Sequence, residues 1–244
     1  MNQTSGILKN TKPASKSFAL VAIIVGVIGV GIGTYSIITV SSGMMQSSES
    51  KMLPYSVDRL VSNGSPILGS PEAPVTIVEF GDYQCHNCQR FAAEVKPMIV
   101  ESYVSTKMVN LIFKDFAIYG EDSIRGASAA HCANEQNRYW EMHDLLYREQ
   151  KGINSGWLSV EGIRGFASTL SLDMQQFNSC IESNRYESRI LQSLDDGKAA
   201  GVSTTPTFLI IKGSKTMDTI VGAQPFSIFD TALRKMFESG EGKT

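Results

Sequence analysis

Six consecutive residues, Val75-Thr76-Ile77-Val78-Glu79-Phe80, are rich in β-branched and apolar side chains, too few for a helix and suited to a buried strand. Gly81 and Asp82 end the run, and Cys85-His86-Asn87-Cys88 follows at once. From Cys88 to about Val104, Phe91, Val95, Met98 and Ile99 recur at helical spacing, with Pro97 expected to kink that helix by removing a backbone donor. A strand, a turn carrying two cysteines and a helix therefore come in immediate succession. That succession commits the chain to an α/β arrangement with a cysteine pair at a helix start.

The position gives the pair its chemistry. Unpaired N–H groups and a partial positive charge at a helix N-terminus stabilise a thiolate, so Cys85 is the expected nucleophile. Two intervening residues place Cys88 one turn along, within reach to close a disulfide or resolve a mixed one. His86 adds a titratable donor between them. Two other readings stay open on the residues alone: half of a zinc site, and a permanent disulfide. Structural zinc usually takes four ligands, and Cys132, Cys180, His86, His131 and His143 show no second CxxC or HxxxH spacing.

A second strand is expected from Met108 to Phe113. From Asp122 to about Ala200 the pattern is helical, with Ala129, Ala133, Trp140, His143, Leu146 and Tyr147 on apolar spacings. Thr207–Ile211 and Met217–Val221 then read as strands around Lys212-Gly213-Ser214, and Phe226–Phe237 as a closing helix. Thr205-Pro206 stands just before the third strand, a position that suits proline whether its bond is cis or trans. The chain of 244 residues, 42% hydrophobic, is long enough for one good-sized core or a core with a small inserted domain. A formal net charge of −2 gives no basic field, so nucleic acid is not an expected partner.

Lys9, Lys12 and Lys16 precede an uncharged stretch, Phe18 to Val40, that matches the roughly 20 apolar residues needed to cross a bilayer. With the lysines on the cytoplasmic side, everything beyond Ser41 is expected to be extracytoplasmic. A cleaved leader is the alternative, although its apolar region is usually shorter, about 7 to 15 residues. Ser41 to Lys51 is serine-rich and reads as a tether. The expected divisions are a cytoplasmic N-terminus (1–17), a transmembrane anchor (18–40), a linker (41–65), a first α/β part (66–121), a helical insertion (122–186) and a second α/β part (187–240).

Three separated motifs carry a family resemblance: Gly69 to Cys85 (GSPEAPVTIVEFGDYQC), Tyr139 to Leu146 (YWEMHDLL) and Thr204 to Phe208 (TTPTF). Together they resemble the DsbA-like thiol oxidoreductases, from about Pro66 to Met236, and look closest to membrane-anchored or secreted members from Gram-positive bacteria and archaea. The resemblance implies a thioredoxin fold with an inserted helical domain, here preceded by a transmembrane helix at the cell membrane. It implies Cys85 as attacking thiolate, Cys88 as resolving thiol, Pro206 cis and facing the pair, and Thr205 against substrate backbone. Glu79 matches a buried acid that exchanges a proton with Cys88; a surface glutamate on an edge strand is the alternative reading. No cofactor is implied. The implied partners are reduced or unfolded exported proteins and a membrane quinone-linked thiol oxidase, with isomerase, reductase or chaperone as other uses of the same fold. The His86-Asn87 dipeptide departs from the family pattern, in which proline most often follows the first cysteine, so the direction of exchange stays open here.

Cys132 and Cys180 lie in the helical block without redox-type neighbours. Family members sometimes carry a second disulfide there, which implies a structural pair; two free core cysteines are the other reading. His131 and His143-Asp144 sit on apolar helical patterns and read as packing or capping residues.

Overall fold

The computed structural model describes residues 56–238. The segment 18–40 and the tether that follows it lie outside the described residues, and no helix among the described residues is long and apolar enough to cross a membrane. The apolar run becomes strand β1 (Val75–Gly81), central in a four-stranded sheet of order β2-β1-β3-β4. It pairs parallel with β2 (Val109–Asp115) and antiparallel with β3 (Thr207–Lys212), which pairs antiparallel with β4 (Lys215–Val221). A strand enclosed by neighbours and covered on both faces needs no polar alternation, and β1 has none.

One face of the sheet is covered by α2 (His86–Glu94), α3 (Lys96–Ile99) and α9 (Phe226–Glu238), with Ile77, Phe91, Phe208 and Phe229 fully buried between them. The helix expected from Cys88 to about Val104, kinked by Pro97, is interrupted at Val95, two residues before the proline. Pro97 has no N–H, and its ring conflicts with the carbonyl four residues back, so α3 restarts around it and runs into a π-helical turn at Val100–Val104.

The other face is covered by α1 (Val57–Val61) and α8 (Glu187–Ala199). Here the linker expected to run to residue 65 is corrected: Leu60 is completely buried, so the folded domain has begun by residue 56. A buried ion pair holds this layer together. Lys114 Nζ lies 2.8 Å from Asp196 Oδ2 with both side chains fully enclosed, and it also donates to the Ser62 carbonyl at 2.7 Å. Gly197 permits the approach of α8, since a Cβ there would fall 2.6 Å from the Phe116 ring.

Between β2 and α8 the chain forms α4 (Glu121–Asn134), α5 (Tyr139–Arg148), α6 (Val160–Thr169) and α7 (Met174–Glu182), which share their own core with the cysteine turn. Cys132 on α4 and Cys180 on α7 are joined, with Cα atoms 5.7 Å apart and both residues buried. Closing a loop of 48 residues contributes on the order of 4 kcal/mol in the chain-entropy account. Because Cys132–Cys180 closes a long loop between two helices, whereas Cys85 and Cys88 are separated by only two residues, mild reductant is expected to open Cys85–Cys88 while leaving Cys132–Cys180 linked. Differential alkylation followed by mass spectrometry checks this, and simultaneous labelling of all four thiols would contradict it.

Candidate active site

Cys85 is the N-cap of α2, with extended backbone (φ −78°, ψ 118°), and its sulfur accepts the N–H of Cys88 at 3.4 Å. A side chain capping a helix end satisfies one of its orphan donors, and here the acceptor is the nucleophile itself. Both thiols are free and neither is exposed: Cys85 keeps 4% of its surface and Cys88 none. The Cys85 thiol also donates to the Thr205 carbonyl at 3.4 Å, and the Thr205-Pro206 bond is cis, so the β3 entry loop faces the pair.

These contacts divide the two cysteines. The hydrogen bond from the Cys88 side chain is the largest influence on Cys85; burial opposes it, and the Thr205 side chain and the amides of Cys88 and Asn87 add to it. The result is a thiol brought from 9.0 down to about 6. Cys88 is pushed well above 9.0, chiefly by burial and then by its neighbour Cys85. At neutral pH the pair is thiolate at Cys85 and thiol at Cys88. His86, exposed, has its Nδ1 paired with Gln89 Oε1 at 3.2 Å, so its hydrogen bond runs along the helix.

Glu79 is 3% exposed on the central strand, in register with Phe113 and Phe208. Its Oε1 has no hydrogen-bond partner among the described residues. Burial raises its carboxyl from 4.5 to about 8, with Lys96 opposing and the Cys85 and Asp144 charges reinforcing. Glu79 is thus a neutral acid at pH 7 on the wall behind the cysteines.

Several residues of this site carry little or no signal in the sequence. Lys96 is buried, paired with Asp144, and set 4.9 Å from the Trp140 ring centroid. Its position between Val95 and Pro97 in an apolar helix is the only sign, since a cation there has to find a buried partner. Asp82 reads in the sequence as a strand terminator. Its carboxylate accepts from the amides of Gln84 and Ile118, each at 2.8 Å, and from the Ser123 hydroxyl at 2.7 Å, while its carbonyl accepts the Cys85 amide at 3.0 Å. Gln150 and Asn154, beyond α5, reach the same turn. His143 is fully buried, with its ring centroid 4.9 Å from those of Trp140 and Tyr147, and burial lowers it from 6.5 to about 4. Among the described residues no group of acidic, histidine and cysteine side chains is arranged to hold a metal ion.

A thiolate-forming pair at the N-terminus of α2, opposite a cis-proline loop on this four-stranded sheet, defines a class. The thioredoxin family model matches residues 62–223, and the chain belongs to that family. Probable disulfide bond formation protein D of Bacillus anthracis is 28% identical over 147 residues, covering 59% of this chain and 68% of that protein. The Na(+)/H(+) antiporter NhaA 3 of Salinispora tropica is 28% identical over 201 residues, 79% of this chain but 29% of the antiporter; the chain spans under a third of that relative's length. In fold it is similar to oxidised BdbD from Bacillus subtilis, with TM-score 0.65 and 21% identity over 71% of this chain and 93% of that one.

The thiol asymmetry fixes a pH response. Lowering Cys85 in the folded state stabilises the reduced form; that contribution is complete above the free-thiol value near 9.0, shrinks as pH falls, and is gone below about 6. The raised Glu79 acts oppositely, costing stability as pH rises from 4.5 to about 8. Alkylation of Cys85 in reduced protein is expected to follow a single titration near pH 6, and the margin by which the reduced form outlasts the oxidised form on heating should narrow between pH 8 and pH 6. A Cys85 alkylation midpoint near 8.5 would contradict the geometry.

Proposed function

We propose that the protein is an extracytoplasmic dithiol oxidase that introduces disulfides into exported proteins through Cys85 and Cys88. The observation that carries this reading is the thiolate at Cys85 beside a neutral Cys88: stabilising the thiolate favours the reduced protein and makes its disulfide an oxidant. A substrate thiolate attacks Cys85 Sγ, the Cys85–Cys88 bond breaks, and the electron pair leaves on Cys88 Sγ, which takes the Glu79 proton. A second substrate thiolate then attacks the substrate sulfur of the mixed disulfide, forming the product disulfide and releasing Cys85 as thiolate. The protein has gained two electrons, and the proposed acceptor is a membrane quinone-linked thiol oxidase.

In this scheme Thr205 offers its backbone to an extended substrate segment, and cis-Pro206 holds that edge open toward Cys85. His86, exposed on the first turn of α2, is the side chain an incoming protein meets next to the nucleophile. The lysines before Phe18 and the apolar length of 18–40 support a membrane anchor with the catalytic domain outside. The name of the Bacillus anthracis relative, a probable disulfide bond formation protein, agrees with oxidation.

Isomerase or reductase is the second reading, favoured by the His86-Asn87 dipeptide and by a nucleophile near 6, between the thioredoxin value of about 7 and the DsbA value of about 3.5. The reduction potential separates them. An oxidase is expected well above the thioredoxin value of about −270 mV, on the DsbA side of about −200 mV. Equilibration with glutathione measures it, and a thioredoxin-like value would defeat the oxidase reading while sparing the exchange chemistry. Cys85→Ser should abolish oxidation of a reduced unfolded protein, whereas Cys88→Ala should accumulate mixed disulfides at Cys85, visible on non-reducing gels after acid quenching.

A further inference from the structure

The helical insertion makes a contact with the cysteine turn that none of the roles above uses. Gln150, half-buried just past the end of α5, donates from Nε2 to the Tyr83 carbonyl at 2.7 Å and to the Cys85 carbonyl at 3.1 Å. One amide thus holds carbonyls on either side of Gln84, and the second is that of the N-cap, which also accepts the first helical bond from the Gln89 amide at 3.1 Å. The turn is secured at its other end by Asp82, whose carbonyl takes the Cys85 amide. Its middle is secured by Gln84, which donates to Ser123 Oγ at 2.8 Å and accepts the Asn154 amide at 2.6 Å.

Rotation about the Cys85 Cα–C bond carries the sulfur away from the Cys88 amide without disturbing α2. With α2 in place the Cys85 carbonyl stays with the helix, and the rotation instead swings the preceding turn, the Tyr83 carbonyl included, relative to it; Gln150 bridges those two carbonyls and so opposes the movement. We propose that Gln150 is a positioning residue that locks the Cys85 peptide and so keeps the Cys85 sulfur on the amide end of α2. Redox tuning then comes from the inserted domain as well as from the two residues between the cysteines. The inference deepens the oxidase reading and rests on it, since it concerns how the nucleophile of that reaction is held.

The test uses the full-length protein with Gln150→Met, which keeps length and removes the donor, and Gln150→Asn, which keeps the amide but falls one methylene short. Two quantities are read on each: the pH midpoint of Cys85 alkylation and the equilibrium constant with glutathione. Loss of the contact should raise the midpoint by about half a unit to one unit. The disulfide should become about three- to tenfold harder to reduce, up to about 30 mV more negative. Both shifts should appear without His86 being altered.

If the parent midpoint is low and both folded variants match it, the inference falls while the oxidase reading stands. It falls likewise if the variants merely melt earlier in both redox forms with the midpoint unchanged, for that is a structural role only. A parent midpoint near 8.5 sinks both together.

Discussion

A single sulfur serves both as the cap of a helix and as the reacting atom, and the rest of the domain is arranged around that coincidence. The Cys85 sulfur accepts the Cys88 amide where a serine or aspartate oxygen would ordinarily sit, so the free energy that caps α2 is larger when the sulfur is charged. Forming the disulfide withdraws the charge from that position. The helix is therefore better capped in the reduced protein, and local helix energetics feed directly into the redox balance. Cys88 is deprived of the same help because it lies inside the first turn, fully buried, with its charged form disfavoured by both burial and the neighbouring thiolate.

In the proposed exchange Cys88 takes up a proton, and Glu79 is the buried acid on the sheet assigned to give it. Glu79 occupies a buried position on β1, in register with Phe113 and Phe208. An enclosed carboxyl with an unpaired oxygen is destabilising, and a structure retains one where the group is used. Lys96 moderates that cost from the broken helix α2–α3. Its own burial is made tolerable by Asp144, by His143 and by the Trp140 face, so the second charge is anchored in the insertion.

What is legible in the sequence follows from the range of the interactions involved. β1, the cysteine turn and α9 declare themselves through local periodicity and punctuation, and the order of elements in the fold agrees with that pattern. The family resemblance rests on short motifs, Thr205-Pro206 among them, that are local as well. Leu60 gives only a weak signal: Val57, Leu60 and Val61 stand at helical spacing, but the run is five residues long, and it is the facing layer of α8 and β2 that makes it core. Lys96, Asp82 and Gln150 escape a sequence reading for the same reason. Each is polar, each would pass for surface, and each owes its role to a partner between roughly 35 and 70 residues away, at Asp144, Ile118, Ser123, Tyr83 and Cys85.

The insertion is thus more than a lid added to a thioredoxin domain. Its core is continuous with Tyr83, Cys85 and Cys88, its disulfide ties α4 to α7, and its polar groups Ser123, Gln150 and Asn154 complete the hydrogen bonding of a turn that the sheet alone leaves half satisfied. Buried carbonyls and amides must be paired wherever a turn is enclosed. Enclosing the cysteine turn therefore obliges the insertion to present matching donors and acceptors, and those same groups then fix where the sulfur can be. Protection of the thiol from solvent and placement of the thiolate are consequences of one packing arrangement, so that, on the inference above, the loop after α5 acts on two sulfurs held at the start of α2.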